Sequence, residues 1–207
     1  MIFEQFSKIG IIPIAALIDS KYAAPLAEFL CSNGLPCVEI AFRTPAAEES
    51  IRVISREFPD ILIGADTVLT TENADRAMNA GAKFIVNPGL NPKIVQHCID
   101  NSVPVIPGAM TPSEIEQALE LGLKVVRFFP AEQAGGLAMI KAVTEVFTDL
   151  KFMPAGGLNS KNVRNYLACD KVVACAGNWM LNNDLTVAKK LVKEAAALVK
   201  EIRGETK

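Results

Sequence analysis

The chain has 207 residues, of which 50% are hydrophobic and 21% are charged, and its formal net charge is -2. This composition predicts one soluble globular domain over residues 1–207 and excludes a disordered chain. Because 21 lysines and arginines are balanced by 23 aspartates and glutamates, with no polybasic run, nucleic acid and anionic membranes are poor partners.

The first ten residues are predicted to form an extra helix that caps the bottom of the fold. They lack the basic region, apolar core and small-residue cleavage site of a secretory signal. The apolar segment 9–18 is shorter than the about 20 residues that a membrane helix needs, and Pro13 interrupts it. We therefore expect a cytoplasmic protein without a membrane span.

From there the chain alternates strand-like apolar segments with segments of helical period, eight times and without a linker. The predicted strands cover residues 10–18, 36–44, 61–68, 83–89, 103–110, 124–131, 151–158 and 171–179. Three of the predicted helices, 23–33, 73–80 and 113–121, are followed by Gly34, Gly81 and Gly122. The third also begins with a capping box, "TPSE".

Eight β/α units of roughly 20 to 25 residues predict a single (β/α)8 TIM barrel, an α/β fold, with the extra N-terminal helix. An open doubly wound sheet is the alternative, but its dinucleotide-binding form has no support because no G-x-G-x-x-G follows the first strand. The active site of a barrel lies at the carboxyl ends of its strands, so polar residues there are the candidates for function.

Several strand ends supply such residues. They are Glu39, Arg43 and Thr44; Asp66 and Thr67; Asn87, Pro88 and Gly89; and Arg127, Phe129 and Glu132. Side chains along a strand alternate between its two faces, and the apolar Val38, Ile40 and Phe42 must pack against helices. Glu39 and Arg43 therefore point inward. The same alternation turns Arg127 inward, at a level where Glu39 can reach it.

The loops after the seventh and eighth strands are rich in glycine. They read "PAGGL" and "CAGNW", and contain Gly156, Gly157 and Gly177. Backbone N–H groups in such loops can surround an oxyanion, and these two loops are the usual phosphate site of a barrel. The alternative is that the glycines only permit tight turns with positive φ.

The order of "VEIAFRT", "GADTVLT", "NPG", "IPG", "RFFPAE" and "PAGGL" resembles the 2-keto-3-deoxy-6-phosphogluconate (KDPG) and 4-hydroxy-2-oxoglutarate (KHG) aldolases over nearly the whole chain. The resemblance implies a (β/α)8 barrel, a homotrimer, and cleavage of 2-keto acids to pyruvate and an aldehyde through an imine on a lysine. It also implies roles for individual residues. Glu39 matches the general acid/base, and Arg43 and Thr67 match groups that hold the pyruvate carboxylate. Phe129 matches an aromatic wall of the site. Gly156 and Gly157 match the turn that binds phosphate.

Four positions depart from the pattern of that family. Asp66 replaces a glycine, Ala155 a threonine and Asn178 a serine, so two hydroxyl donors are missing near the presumed anion site. We expect weaker phosphate binding or a different distal group. The fourth departure places Arg127 where the imine-forming lysine would be. Imine formation needs a neutral amine, and an arginine side chain stays protonated, so we expect the covalent mechanism to be lost.

Lys83, Lys124 and Lys151 lie at the beginnings of their predicted strands, more than about 10 Å from the active-site end, and do not replace the missing lysine. Two hypotheses remain for a small, possibly phosphorylated 2-keto acid ligand. In the first, Glu39 moves a proton and Arg127 with Arg43 stabilises an enolate, giving slow aldol cleavage, enolisation or decarboxylation. In the second, the barrel interior is closed by a salt-bridged plug of four charged residues: Arg43, Arg127, Glu39 and Asp66. The protein then only binds a ligand or has lost activity.

Metal and disulfide chemistry have weak support. The cysteines are odd in number and never spaced as C-x-x-C: Cys31, Cys37, Cys98, Cys169 and Cys175. The single histidine, His97, is predicted to lie on a helix surface. A divalent metal on Glu39 and Asp66 is an alternative electron sink, but two carboxylates without histidine suit magnesium or manganese poorly. We therefore expect no cofactor.

Overall fold

The structure is a computed structural model, and it describes residues 2–204. Within that range eight strands lie inside the predicted segments, and each is shorter than predicted. They are β1 (Ile11–Ala15), β2 (Cys37–Ala41), β3 (Leu62–Asp66), β4 (Phe84–Val86), β5 (Val105–Ile106), β6 (Val125–Phe128), β7 (Lys151–Pro154) and β8 (Cys175–Gly177). Most of the difference falls at the carboxyl ends, where the chain leaves the sheet and forms the loops that carry the polar residues.

The helices alternate with these strands. They are α1 (Ile2–Ile9), α2 (Ala23–Ser32), α3 (Ala47–Glu57), α4 (Thr71–Asn79), α5 (Pro92–Asp100), α6 (Pro112–Glu120), α7 (Gly136–Thr144), α8 (Val163–Leu167) and α9 (Leu185–Arg203), with a short 3-10 helix at Ser20–Tyr22. The predicted glycine stops are confirmed, because Gly34, Gly81 and Gly122 have positive φ values. The predicted capping box is confirmed as well: the Thr111 side chain accepts from the Glu114 N–H, and Glu114 accepts from the Thr111 N–H.

All described strand pairs are parallel. Six strands form one sheet in the order β5-β4-β3-β2-β1-β8, and β6 pairs with β7. Isolated bridges connect the two sets, at Gly108 with Arg127, Ala155 with Ala176, and Phe152 with Val172. The Arg127 N–H donates to the Pro107 carbonyl at 2.8 Å, and the Ala109 N–H donates to the Arg127 carbonyl at 2.9 Å. The molecule is thus an α/β fold built on a curled parallel sheet.

Successive side chains along the strands enter two different apolar clusters, as the period of two requires. Ile11, Ile85 and Val126 belong to the large cluster that includes the buried helix faces. Their neighbours Ile12, Phe84 and Val125 belong to a smaller inner cluster. The predicted alternation on β2 is confirmed, because Val38, Ile40 and Phe42 lie in the large cluster whereas Glu39 does not.

The predicted N-terminal helix is α1, and it closes the amino ends of the strands. Phe6 is fully buried in the inner cluster, with its ring centroid 4.8 Å from that of Phe84 in an edge-to-face arrangement. Gly64 leaves room for this packing, because a Cβ atom there would lie 2.3 Å from the Phe84 ring. Apolar side chains therefore fill the amino end of the sheet interior.

Candidate active site

A buried ion pair lies at the centre of the curled sheet. Glu39 on β2 is 0% exposed and Arg127 on β6 is 2% exposed. Arg127 Nη2 donates to Glu39 Oε1 at 2.5 Å, although the two residues are 88 positions apart in sequence. The expectation that both side chains point inward and reach each other is confirmed.

The ion pair leaves several of its own polar atoms without partners. Glu39 Oε2, Arg127 Nε and Arg127 Nη1 are buried and make no hydrogen bond. Burial, with a smaller contribution from the charge of Asp66, raises the pKa of Glu39 to about 7 against the lowering effect of Arg127. A carboxyl group with this pKa can both accept and release a proton near neutral pH.

A cavity of about 190 Å³ lies at the carboxyl ends of the strands, next to this pair. Eleven of the twelve residues proposed from the sequence line it: Arg43, Asp66, Thr67, Pro88, Arg127, Phe129, Ala155, Gly156, Gly157, Gly177 and Asn178. Glu39 is the twelfth; it lies behind the cavity lining and contacts Arg127, which lines the cavity. Three further residues line it: Asn87, which the sequence named as a strand-end candidate without a role, and Ile14 and Leu158, which it did not name.

The rim of the cavity differs from the four-charge plug considered from the sequence. Thr67 has a φ of 61°, and its Oγ1 donates to Asp66 Oδ2 at 2.9 Å. Among residues 2–204 neither Arg43 nor Asp66 has an ion-pair partner, so only the Glu39–Arg127 half of the plug forms. Arg43 follows the end of β2 and is exposed to solvent, where hydration replaces a fixed carboxylate partner.

The glycine-rich corner contains two adjacent glycines in the left-handed backbone region. Gly156 and Gly157 have φ values of 94° and 79°, and within the described chain their N–H groups donate to no other protein atom. A Cβ atom on Gly157 would lie 2.7 Å from the Glu132 side chain, and one on Gly177 would lie 2.4 Å from the Trp179 ring. Close packing therefore requires glycine at both positions, whatever the ligand.

No lysine lines the cavity in the described part of the chain. Lys83 lines a groove at the amino ends of the strands, next to α1. Lys124 precedes β6, and Lys151 is the exposed first residue of β7. The expectation that these three lysines begin their strands, away from the active-site end, is confirmed. The site as folded has two arginines as its cations, Arg43 and Arg127.

The remaining reactive residue types lie outside the cavity. His97 is on α5 and its Nε2 lies 2.6 Å from Asp75 Oδ1 at the surface, as the sequence predicted for a helix-surface residue. All five cysteines are free thiols. Within residues 2–204 no group of three or more histidines, cysteines or acidic residues is arranged to hold a metal ion.

No helix in that range is long and apolar enough to cross a membrane.

Comparison with known proteins gives one consistent family. The family model for KDPG and KHG aldolase matches residues 2–197. The 2-dehydro-3-deoxy-phosphogluconate aldolase of Treponema pallidum (strain Nichols) is 46% identical over 180 residues, which cover 87% of this chain and 86% of that protein. The corresponding aldolase of Haemophilus influenzae is 44% identical over 206 residues, 97% of this chain and 94% of its own length.

A solved structure from Legionella pneumophila, a KDPG aldolase, is 33% identical and superposes with a TM-score of 0.87 over 98% of both chains. It is described as holding pyruvate captured at low pH as a covalent carbinolamine intermediate. A more distant neighbour, KGPDC from Streptococcus mutans, shares the fold with a TM-score of 0.70 at 14% identity.

Proposed function

The chain belongs to the KDPG and KHG aldolase family, and we propose that it cleaves a small 2-keto acid to pyruvate and an aldehyde without a lysine imine. The observation that carries this proposal is the buried pair of Arg127 with Glu39 beside a cavity whose described lining contains no lysine. The family membership supports the substrate class and the bond that breaks. The arginine supports a non-covalent route.

The proposed step is a retro-aldol cleavage. Glu39, as the carboxylate, removes the proton of the substrate hydroxyl group, and the carbon–carbon bond between the hydroxyl-bearing carbon and its neighbour breaks. The aldehyde leaves, the electrons of the broken bond form a double bond between the remaining carbon and the carbonyl carbon, and the π electrons of the carbonyl move to its oxygen, which gives a pyruvate enolate. Glu39 then returns the proton to the enolate carbon, which gives pyruvate. Its pKa of about 7 suits both transfers.

Arg127 is the proposed electrophile. Its unpaired Nε–H and Nη1–H groups are donors that match the developing charge on the enolate oxygen. A fixed donor of this kind contributes about 3 kcal/mol to transition-state stabilisation in other enzymes. Because a guanidinium withdraws electrons only through hydrogen bonds and charge, we expect slower turnover than an imine would give.

The other residues of the cavity take the roles implied by the family pattern. Arg43 and Thr67 hold the substrate carboxylate, for which the Thr67 hydroxyl must first release Asp66, and the charge of Asp66 raises the pKa of Glu39. The exposed ring of Phe129 forms one wall, and Pro88 also lines the cavity. A distal polar group of the substrate lies at the corner formed by Ala155, Gly156, Gly157, Gly177 and Asn178.

The architecture and cellular context belong to the same proposal. We propose that the two strand sets close into one (β/α)8 barrel domain over residues 1–207, because isolated bridges connect β6 and β7 to their neighbours on both sides. The homotrimer and the cytoplasmic location are likewise proposed. They rest on the family resemblance and on the sequence features described above, and size-exclusion chromatography with light scattering tests the trimer.

A binding-only protein is the second candidate function, and one observation favours it. Arg127 and Glu39 form a buried ion pair, and breaking such a pair by removing one partner commonly costs about 3 to 5 kcal/mol. A protein in which the pair stays closed would bind a small carboxylate or phosphate and turn nothing over. Enolisation or decarboxylation of the same ligand is a further reaction open to the same pair.

The test compares the wild-type protein with Arg127→Lys. Each is incubated with 2-keto-3-deoxy-6-phosphogluconate or 4-hydroxy-2-oxoglutarate, pyruvate release is followed, and borohydride trapping is read by mass spectrometry. We expect slow pyruvate release and no trapped adduct for the wild type, with the same rate in EDTA and in magnesium. Arg127→Lys should gain a trapped pyruvyl adduct.

Arg52→Lys is the matched control, because Arg52 is exposed on α3 and its substitution places the new amine outside the cavity. It should form no adduct. An adduct in the wild-type protein contradicts the non-covalent route. No turnover together with a ligand-induced rise in Tm favours the binding-only function, and no turnover without that rise contradicts both functions.

A further inference from the structure

Unpartnered buried polar atoms are concentrated around a single cavity. Among residues 2–204, the buried side-chain nitrogen and oxygen atoms without a hydrogen-bond partner number four: Glu39 Oε2, Asn87 Oδ1, Arg127 Nε and Arg127 Nη1. Asn87 and Arg127 line the cavity, and Glu39 contacts Arg127. Buried polar groups in folded proteins almost always have partners, so this concentration points to a ligand that supplies them.

Asn87 is the residue of this group that the proposed reaction does not use. It follows β4 and is 2% exposed, and its Nδ2 donates to the Val68 carbonyl at 2.5 Å. Because a carbonyl oxygen can only accept, this bond fixes the orientation of the amide. Oδ1 is therefore the atom left over, and it can only accept a hydrogen bond.

The unpartnered atoms differ in what they require from a ligand. Arg127 Nε and Nη1 are donors, and the carboxylate and keto oxygens of a 2-keto acid are acceptors that match them. Glu39 Oε2 takes the hydroxyl proton only at the cleavage step proposed above, so in the bound complex that proton is free for another acceptor. Asn87 Oδ1 requires a donor, and the pyruvyl portion of the substrate has none. A hydroxyl group elsewhere on the substrate provides one.

We propose that Asn87 is a specificity-determining residue whose Oδ1 accepts a hydrogen bond from a ligand hydroxyl, so that the site selects hydroxylated 2-keto acids over their deoxy counterparts. The inference rests on the proposed function, since a 2-keto acid must occupy the cavity. A deoxy ligand that covers the site leaves this acceptor buried and unpaired, which in other proteins weakens binding by about tenfold or more.

The matched ligands are 4-hydroxy-2-oxoglutarate and 2-oxoglutarate, which differ by one hydroxyl group. The probe is Trp179, the only tryptophan of the chain, which packs against the cavity residue Gly177. Stopped-flow fluorescence measures both dissociation constants before turnover. We expect the wild type to bind the hydroxylated ligand about tenfold more tightly.

Asn87→Leu removes the polar atoms at similar size. It should reduce the preference to within about twofold by weakening the hydroxylated ligand, while the affinity for 2-oxoglutarate changes little. Asn165→Leu is the matched control, because Asn165 is exposed on α8 and outside the cavity, and it should keep the wild-type preference. Asn87→Ala serves the same purpose if the leucine variant does not fold.

The outcomes separate this inference from the proposed function. Binding of both ligands with equal affinity by the wild type overturns the role of Asn87 but leaves the 2-keto acid site standing. An unchanged preference of Asn87→Leu for the hydroxylated ligand also overturns it, because another group such as Glu39 must then accept the hydrogen bond of the hydroxyl. If neither ligand binds the wild type, the proposed function fails and this inference fails with it.

Discussion

The two ends of the curled sheet have the same alternating strand pattern but bury different kinds of side chain. At the amino end, Phe6 of α1 and Phe84 pack edge to face, and the inner cluster around them is apolar. At the carboxyl end, Glu39, Asn87 and Arg127 are just as deeply buried, but each keeps at least one polar atom without a partner. The difference teaches that one end maintains the fold, whereas the other keeps unsatisfied groups available for a ligand.

The largest expected effect tests the amino end. Phe6→Ala should lower the free energy of unfolding by about 3 to 5 kcal/mol, because it empties the space beside Phe84. Urea unfolding measures the loss. Phe3→Ala on the same helix is the control and should cost less, since Phe3 is only partly buried. Ligand affinity should not change in either variant. A loss of affinity in Phe6→Ala alone would contradict the conclusion that the amino end serves only the fold.

The next effect is a pH dependence from the carboxyl end. Burial raises the pKa of Glu39 from 4.5 to about 7, so folding favours the protonated form. Its contribution to stability is therefore complete below about pH 4.5 and is lost as the pH rises through about 7, a change of about 3 kcal/mol. Glu39→Gln cannot titrate and should lack this decline.

Urea unfolding of both proteins at several pH values measures that difference. Other titrating groups cancel when the variant is subtracted from the wild type. The exposed Glu116→Gln on α6 is the control and should keep the wild-type slope. Parallel curves for the wild type and Glu39→Gln would mean that Arg127 compensates the buried carboxylate fully.

The smallest expected effect concerns the glycine-rich corner. Neither Ala155 nor Asn178 offers a hydroxyl donor there, so 2-keto-3-deoxy-6-phosphogluconate and its dephosphorylated form should bind within about tenfold of each other. Calorimetry measures both affinities. The double variant Ala155→Thr with Asn178→Ser should raise the phosphorylated affinity about tenfold and leave the other unchanged. A wild-type preference above about a hundredfold would show that the backbone N–H groups suffice.

Much of this comparison could be predicted from local patterns. Alternation along β2 and β6 placed Glu39 and Arg127 inside, because apolar neighbours must pack against helices. Glycines after helical segments marked the ends of α2, α4 and α6, since a positive φ favours glycine. The active site of a barrel lies at the carboxyl ends of its strands, and this regularity predicted that residues at the ends of β2, β3, β6, β7 and β8 would share one cavity.

The sequence by itself determined the family and the order of strands and helices, and it placed an arginine, Arg127, within the sixth strand. Only the tertiary structure decided which charges pair. Arg127 reaches Glu39 across 88 residues, whereas Arg43 projects past the end of β2 into solvent. Asn87 was a strand-end candidate from the sequence, but only the structure showed that its amide is bonded to Val68 and that its Oδ1 has no partner. The physical reason is that a strand pattern determines the face of a side chain, but partners are set by how distant strands meet.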